Sequence, residues 1–297
     1  MMKQAMREAV VRAQTSGALH KLTATSRAQM YGDFPYLLLT LAPRVEKPQG
    51  LANQSQQTKM RNPFAQENLE ADLVVQSVNG THTLILNKFN VVDEHTVLVT
   101  NQFEEQSTPL VPSDFAALWK CIQDLNAFGF FNCGHNSGAS QPHKHMQLIT
   151  IESAVSYVNS PTDDLPWMQR ALDHAGSFDR GSIFDVPWFQ FRHGFVAHGT
   201  SELPDGESAS DHLHTVATTL LQALDSPPSY NSILTKSLLL IVPRRERSTD
   251  GIEINSVGFT GSFLVRNDAQ ASRFTAEGPF EILAAVGFPK VHEMPRL

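Results

Sequence analysis

At 297 residues the chain is about two domains long by the ~150-residue norm, though one large α/β unit also fits; 41% hydrophobic and 18% charged residues is a globular balance. Lys and Arg (23) against Asp and Glu (30) leave a formal charge of −7, which excludes a general nucleic-acid binder but not a small polyanion held by local donors. Cys121 and Cys133 alone cannot build a four-ligand zinc site or a disulfide framework, and no signal peptide or long apolar run is legible, so the expected setting is reduced, cytoplasmic and without a membrane.

In chain order, residues 2–16 favour helix, and Pro35 to Leu41 is a short apolar run ended by Pro43. Glu46 to Gln57 is polar, with Pro48 and Gly50, and reads as a mobile loop. Leu73 to Val78 and Thr81 to Leu86 flank Asn79-Gly80, a strong hairpin signal. Thr96 to Thr100 reads as a third strand. Ser113 is placed to cap a helix whose Phe115, Leu118, Trp119, Ile122 and Leu125 recur at the spacing of one buried face. Residues 131–142, rich in Asn, Gly and Ser, read as a loop, and His143 to Ile151 alternates as a strand. Residues 159–188 carry Pro161, Pro166 and Pro187 and read as a long irregular connection. Phe189 to Ala197 is strand-like; Leu213, Val216, Leu220 and Leu224 mark a helix ending before Pro227-Pro228. Ser232 to Val242 and Phe263 to Val265 are further strands, and Pro279 to Val286 closes as a helix. Strand clusters alternating with single helices predict an α+β fold, antiparallel sheet with helices on one face.

The chemistry concentrates in Asn132 to Gln147. On a strand, His143, His145 and Gln147 share one face and Lys144 and Met146 the other. Two imidazoles and an amide in a row, at ~7 Å intervals, are not tolerated in a core without partners. Just before them Gly134, Gly138, Ala139 and Ser140 let backbone N–H groups approach an anion. Three readings follow. His143 and His145 chelate a metal; one of them attacks phosphorus as a neutral imidazole; or the strand is structural. The adjacent Gly/Ser loop favours phosphorus, because a metal site does not need it.

Ser140-Gln-Pro-His-Lys-His-Met-Gln147 resembles the histidine triad superfamily, in the transferase branch that ends in Gln. Lys144 stands where uridylyltransferases usually carry Pro, and the pattern is closer to the diadenosine tetraphosphate phosphorylases (ATP adenylyltransferases). Arg61-Asn-Pro-Phe64, Leu86-Asn-Lys-Phe89 with Val91-Val92 and His95, Tyr230-Asn231 through Thr235-Lys236, Val242-Pro-Arg244 and Asn255 through Arg266 look like landmarks of that family in order, so the resemblance runs from about residue 15 to the C-terminus. It implies a histidine-triad-like antiparallel sheet with helices over residues 1–199, extended by a C-terminal α/β lobe, 200–297, that completes a nucleotide site.

The resemblance further implies that His145 is the nucleophile, that His143 orients it, and that Gln147 hydrogen-bonds the phosphoryl oxygens of a covalent nucleotidyl intermediate. Gly138, Ala139, Ser140 and Gln141 would line the phosphates, with Asn132 beside them. Lys59, Asn87 and Lys88 would meet the nucleoside and its phosphates, and Asn255, Ser256, Val257, Ser262 and Arg266 a nucleotide. The implied reaction converts a dinucleoside polyphosphate and inorganic phosphate to ATP and ADP. Mg²⁺ or another divalent cation would travel with the substrate phosphates, without structural zinc. Hydrolysis, transfer to sulfate, a nucleotide sensor without turnover, and a metal enzyme using both histidines stay open. Outside the motif, Lys144 reads as solvated, with phosphate contact as the alternative. His95 at a turn reads as structural, as do the lone His82, His193 and His198. Lys236 and Arg244 read as surface charges or anion contacts, and Trp167 and Trp188 as candidates to cover a base.

Overall fold

The computed structural model describes residues 1–42, 62–156, 165–176, 181–199 and 208–290, so the polar 46–57 segment, Lys59 and Arg61 lie outside the described residues. Helix α1 (Met2–Ser16) buries Met2, Met6, Ala9 and Ala13, a stripe at helical spacing, and stops at Gly17 in the left-handed conformation (φ 75°). Strand β1 (Ala24–Tyr31) pairs antiparallel with β2 (Phe34–Leu41). The sequence gives little sign of β1, because most of its side chains are exposed and no apolar alternation marks it.

The remaining strands build the large sheet. Asn79 and Gly80 both take positive φ (53° and 72°), the conformation of a tight hairpin, and join β3 (Val74–Val78) to β4 (His82–Leu86). After β5 (His95–Thr100) comes helix α2 (Pro112–Leu125), then β6 (Ala127–Cys133) and β7 (His145–Thr150). Short α3 (Ile151–Val155) and α4 (Pro166–Ala175) precede β8 (Ile183–Phe184) and β9 (Gly194–Ala197). Helix α5 (Ala209–Ala223) leads to β10 (Tyr230–Leu234) and β11 (Leu238–Pro243). These strands form a nine-stranded sheet in the order β3-β4-β5-β7-β6-β10-β11-β9-β8. Every neighbouring pair in it is antiparallel. Strands from residues beyond 208 therefore lie inside the sheet, beside the strand that carries Asn132.

A two-stranded ribbon of β12 (Ser248–Thr249) and β13 (Ile252–Glu253) is followed by β14 (Ser262–Val265), which pairs parallel with β2. Helices α6 (Asp268–Glu277) and α7 (Pro279–Val286) close the described chain. Helices α1, α2 and α5 pack on one face of the large sheet, against Leu98, Phe131, Met146 and Leu148. The small sheet with α4, α6 and α7 covers the other face, against Phe128, Phe130, Ile149 and Ile233. The architecture is mixed α+β, with helices on both faces rather than one. Among the described residues no helix is long and apolar enough to cross a membrane.

Several expected boundaries move. Ser113 is not the cap of α2: Val111 is, with Pro112 in the first turn and the Asp114 carboxylate accepting from the Val111 N–H at 2.9 Å. Residues 131–133 are strand, because β6 continues through Cys133 between β7 and β10. The motif strand begins at His145 and ends at Thr150, while His143 makes an isolated bridge to Glu105. The 159–188 connection contains α4, whose Pro166 starts the helix instead of breaking it. Ser232 to Val242 is two strands joined at Thr235–Ser237, where the Thr235 hydroxyl accepts the Ser237 and Leu238 N–H groups. Only Gly194–Ala197 of the 189–197 run is strand, and α6 was not legible at all.

Candidate active site

Strand alternation sends His145, Gln147 and Ile149 to the face covered by the small sheet. His145 is 4% exposed, and its Nδ1 lies 2.8 Å from the His143 carbonyl oxygen. A carbonyl only accepts, so Nδ1 carries the hydrogen and Nε2 keeps its lone pair. Burial lowers the His145 pKa to about 4, against the support of that backbone hydrogen bond, so the ring is neutral at physiological pH. The tilted ring of Phe64 packs against it at 4.9 Å between centroids. Gln106 brackets the main chain here: its Oε1 accepts the His145 N–H at 2.8 Å and its Nε2 donates to the His145 and Asn132 carbonyls. Sequence reading gave no sign of Gln106, which sits in an irregular segment and acts only through main chain.

His143 orients His145 by its carbonyl, a group that any residue supplies. Its ring turns elsewhere, with Nε2 donating to the Thr100 carbonyl at 2.9 Å and Nδ1 accepting from Asn62 Nδ2 at 2.9 Å.

On β6, Asn132 is fixed as firmly. The Ser256 N–H donates to its Oδ1 at 3.0 Å and Asn231 Nδ2 does so at 2.7 Å, while the Ser256 hydroxyl lies 2.7 Å away. A backbone N–H can only donate, so the Asn132 oxygen faces Ser256 and its NH₂ turns the other way, toward the cavity. Asn231 is held in turn by the guanidinium of Arg244, which also reaches the Ile254 and Glu246 carbonyls at 2.9 and 2.7 Å. Arg244 is thus not a surface charge but a buried brace, its pKa drawn down to about 9 by burial and by Arg247. Gly138 has φ +87°, and a Cβ there would stand 2.8 Å from the Ile254 carbonyl oxygen. Glycine therefore lets the 134–141 loop close against the 254–256 segment. Arg247 ties the same two segments, donating to the Ala139 carbonyl at 3.0 Å.

Between these elements lies a cavity of about 390 Å³. Asn87, Asn132, Gly138, Ser140 and Gln147 line it, and so do Asn255, Val257, Ser262 and Arg266 from the C-terminal segment. Apolar walls come from Leu37, Leu39, Phe128, Ile149 and Phe263. His145 shares the face of Gln147 on the motif strand but is not itself among the lining residues, and Ala139 and Gln141 flank the lining residues of their loop. Two expected contacts fall outside it. Lys88 turns to Glu70 at 2.6 Å, and Ser256 is fully buried beneath Asn132.

Among the described residues, few of the cations near the motif reach the cavity. Lys144 is neither solvated nor at the phosphates: it is 0% exposed on the helix face, 2.6 Å from Asp114 and 3.0 Å from Glu104. Lys236 bonds Asn126 on the protein surface. Among the described residues, Arg247 and Arg266 are the full cations lining the cavity, and both already pair with Glu253, at 3.5 and 3.1 Å. Neutral N–H donors make up most of the polar wall.

His95, which reads as structural from sequence, lines the cavity with its Nε2 2.9 Å from Gln147 Oε1. Trp167 is core rather than a cover for a base, 1% exposed in α4 with its Nε1 donating to the Pro35 carbonyl. His95, His145, His193 and His198 all have pKa values lowered to about 4, chiefly by burial. Their folded-state pKa values lie below the unfolded ~6.5, so the unfolded chain takes protons first as pH falls. Stability from these groups is whole above pH ~6.5 and falls between ~6.5 and ~4, by ~1.4 kcal/mol per pH unit for each. A thermal-melting series over that range should show the slope, reduced in His193→Gln; a flat profile would refute it.

The comparisons with known proteins agree with this geometry. A family model described as the Ap4A phosphorylase N-terminal domain matches residues 1–166, and one described as the ATP adenylyltransferase C-terminal domain matches residues 185–289. The Saccharomyces cerevisiae protein named diadenosine 5',5'''-P1,P4-tetraphosphate phosphorylase 2 is 30% identical over 286 residues, covering 84% of this chain and 83% of its own. The crystal structure of yeast Ap4A phosphorylase Apa2 in complex with AMP is similar at a TM-score of 0.78 with 26% identity, over 98% of each chain. The structure of the same yeast enzyme in complex with Ap4A gives 0.74, again at 26% identity and 98% of each chain. With a family model over more than half its length and a relative of this similarity, the chain belongs to the Ap4A phosphorylase family.

Proposed function

We propose that this protein is a nucleotidyltransferase that cleaves diadenosine tetraphosphate by phosphorolysis to ATP and ADP. The observation that carries the reading is His145: neutral by burial, its Nδ1 hydrogen spent on the His143 carbonyl and its Nε2 lone pair free, beside an amide-lined cavity. Nε2 attacks the α-phosphorus, a nitrogen–phosphorus bond forms, and the bond from that phosphorus to the bridging oxygen breaks, releasing ATP. An oxygen of inorganic phosphate then attacks the same phosphorus, the nitrogen–phosphorus bond breaks, and ADP leaves with the imidazole neutral again.

The N–H donors of Asn132 and Gln147, with those of the 138–141 loop and Ser140, are proposed to meet the equatorial oxygens. The segment beyond residue 208 completes the wall with Asn255, Val257, Ser262 and Arg266. Among the described residues, the arginines that line the cavity are already paired with Glu253, which supports a divalent cation as a carrier of part of the polyphosphate charge. Mg²⁺ or a similar ion is proposed to enter bound to the substrate phosphates, as part of the substrate.

Product analysis tests the reading. With phosphate, diadenosine tetraphosphate should yield ATP and ADP in equal amounts and with ping-pong kinetics; AMP as the sole partner of ATP, with or without phosphate, would refute it. An amide at position 147 cannot relay a proton to water, so Gln147→His should raise the ratio of AMP to ADP. An unchanged ratio would overturn that account of the residue.

A further inference from the structure

An amide serves an anion in only one of its two orientations, since its NH₂ donates and its oxygen repels. For Gln147 the orientation rests on a run of contacts through His95 to Asn87, which a backbone N–H holds in place. The Phe89 backbone N–H donates to Asn87 Oδ1 at 3.1 Å. That fixes the Asn87 oxygen and leaves its Nδ2 over the His95 ring, 3.3 Å from Nδ1 and 3.4 Å from Nε2. Nε2 also has the Gln147 amide oxygen at the shorter distance, and that oxygen only accepts, so in the neutral ring the hydrogen is on Nε2 and Nδ1 keeps the lone pair on the Asn87 side. His95 Nε2 then donates to Gln147 Oε1 at 2.9 Å, and the Gln147 NH₂ is left for the cavity. The ring is neutral because burial lowers its pKa to about 4, and Phe130 flanks it at 5.9 Å.

We propose that His95, with Asn87 behind it, is a positioning residue that sets the polarity of the Gln147 amide, so that its NH₂ and not its oxygen meets the transferred phosphoryl group. The proposal rests on the phosphorolysis reading for its kinetic consequence, but not for its structural one. His95 touches no reacting atom; its effect passes through Gln147. The two residues stand on adjacent strands, His95 opposite Ile149 and Gln147 opposite Val97, so the contact is a diagonal across the β5–β7 ladder.

The tautomer can be read directly from the ¹⁵N imidazole shifts of the whole protein. His95 should carry its hydrogen on Nε2 in the wild type. In Asn87→Asp the carboxylate accepts instead of donating, and the hydrogen should move to Nδ1. Kinetics give the second readout. His95→Leu frees the amide, and kcat for nucleotidyl transfer should fall about 10- to 100-fold, reaching at most the lower end of the cost of losing one oxyanion donor outright. KM should change less. His95→Gln, which can accept from Asn87 and donate to Gln147, should recover most of the rate, and the His95→Leu loss should vanish in a Gln147→Ala background. A wild-type hydrogen on Nδ1, or a His95→Leu loss that persists undiminished without Gln147, overturns the proposal. If the wild type forms no ATP and ADP from diadenosine tetraphosphate, the phosphorolysis reading fails instead, and the tautomer measurement still decides the relay.

Discussion

Replacing His145 by alanine should reduce phosphorolysis by about 10⁴-fold or more, because the covalent route is lost and not merely weakened. The imidazole is built for one nitrogen to react. Its Nδ1 is tied to the His143 carbonyl, its backbone N–H to Gln106, and the tilted ring of Phe64 packs against it. The expected experiment incubates the protein with substrate labelled in the adenosine part, without phosphate, and isolates an acid-labile, alkali-stable AMP adduct. Addition of phosphate should discharge the adduct as ADP. His145→Ala should form none, and full activity of that variant would end the proposed mechanism. His143 offers the contrast. Its carbonyl does the orienting, so His143→Ala removes the ring's bonds to Thr100, Gln102 and Asn62 and its packing on Phe103, and should cost far less than His145→Ala.

Lys144, between those two histidines in sequence, should have the largest effect on stability. It is fully buried, paired with Asp114 at 2.6 Å, and Asp114 in turn lies 3.0 Å from His82 Nε2 and caps α2 through the Val111 N–H. Burial alone would raise the Asp114 pKa, but the hydrogen bonds from His82 and Lys144 and the Lys144 charge pull it down, so the carboxylate is ionised. Lys144→Met leaves that anion buried without its cation, at a cost of about 3–5 kcal/mol in a urea titration. Asp114→Asn in the same background should recover part of the loss. Because the ion pair is on the face opposite His145, the folded fraction of Lys144→Met should still form the AMP adduct. A stable but adduct-deficient variant would restore the phosphate-contact role that the packing argues against.

These two predictions show which parts of the site the sequence carries. Alternation along the motif strand separates His145 and Gln147 from Lys144 and Met146 by local geometry alone, and the structure keeps that division. What covers each face is tertiary. Solvent and Asp114 are equally consistent with the sequence around Lys144, and α2 decides between them. His95, though it stands among the family landmarks, reads as a structural turn histidine because Gln147, its partner, is 52 residues away. Arg244 reads as a surface charge because its acceptors are main-chain carbonyls, which leave no compositional trace. The Asn79-Gly80 hairpin was legible because its requirement, two positive φ values, is met within the pair itself. Helix α4 was hidden by Pro166, the same residue being a breaker inside a helix and a starter at its first turn.

The position of β10 carries a consequence for how the protein is made. Strand β6, with every residue buried, has β10 as its outer neighbour, and Asn231 meets Asn132 across 99 residues of chain. On the ribosome β6 therefore emerges long before the strand that seals it, presenting an apolar edge with unpaired N–H and C=O groups. A chain interrupted before β10 would not be a weaker enzyme with half a pocket. It would be an aggregation-prone product, so quality control during synthesis, rather than residual activity, would decide the fate of C-terminal truncations.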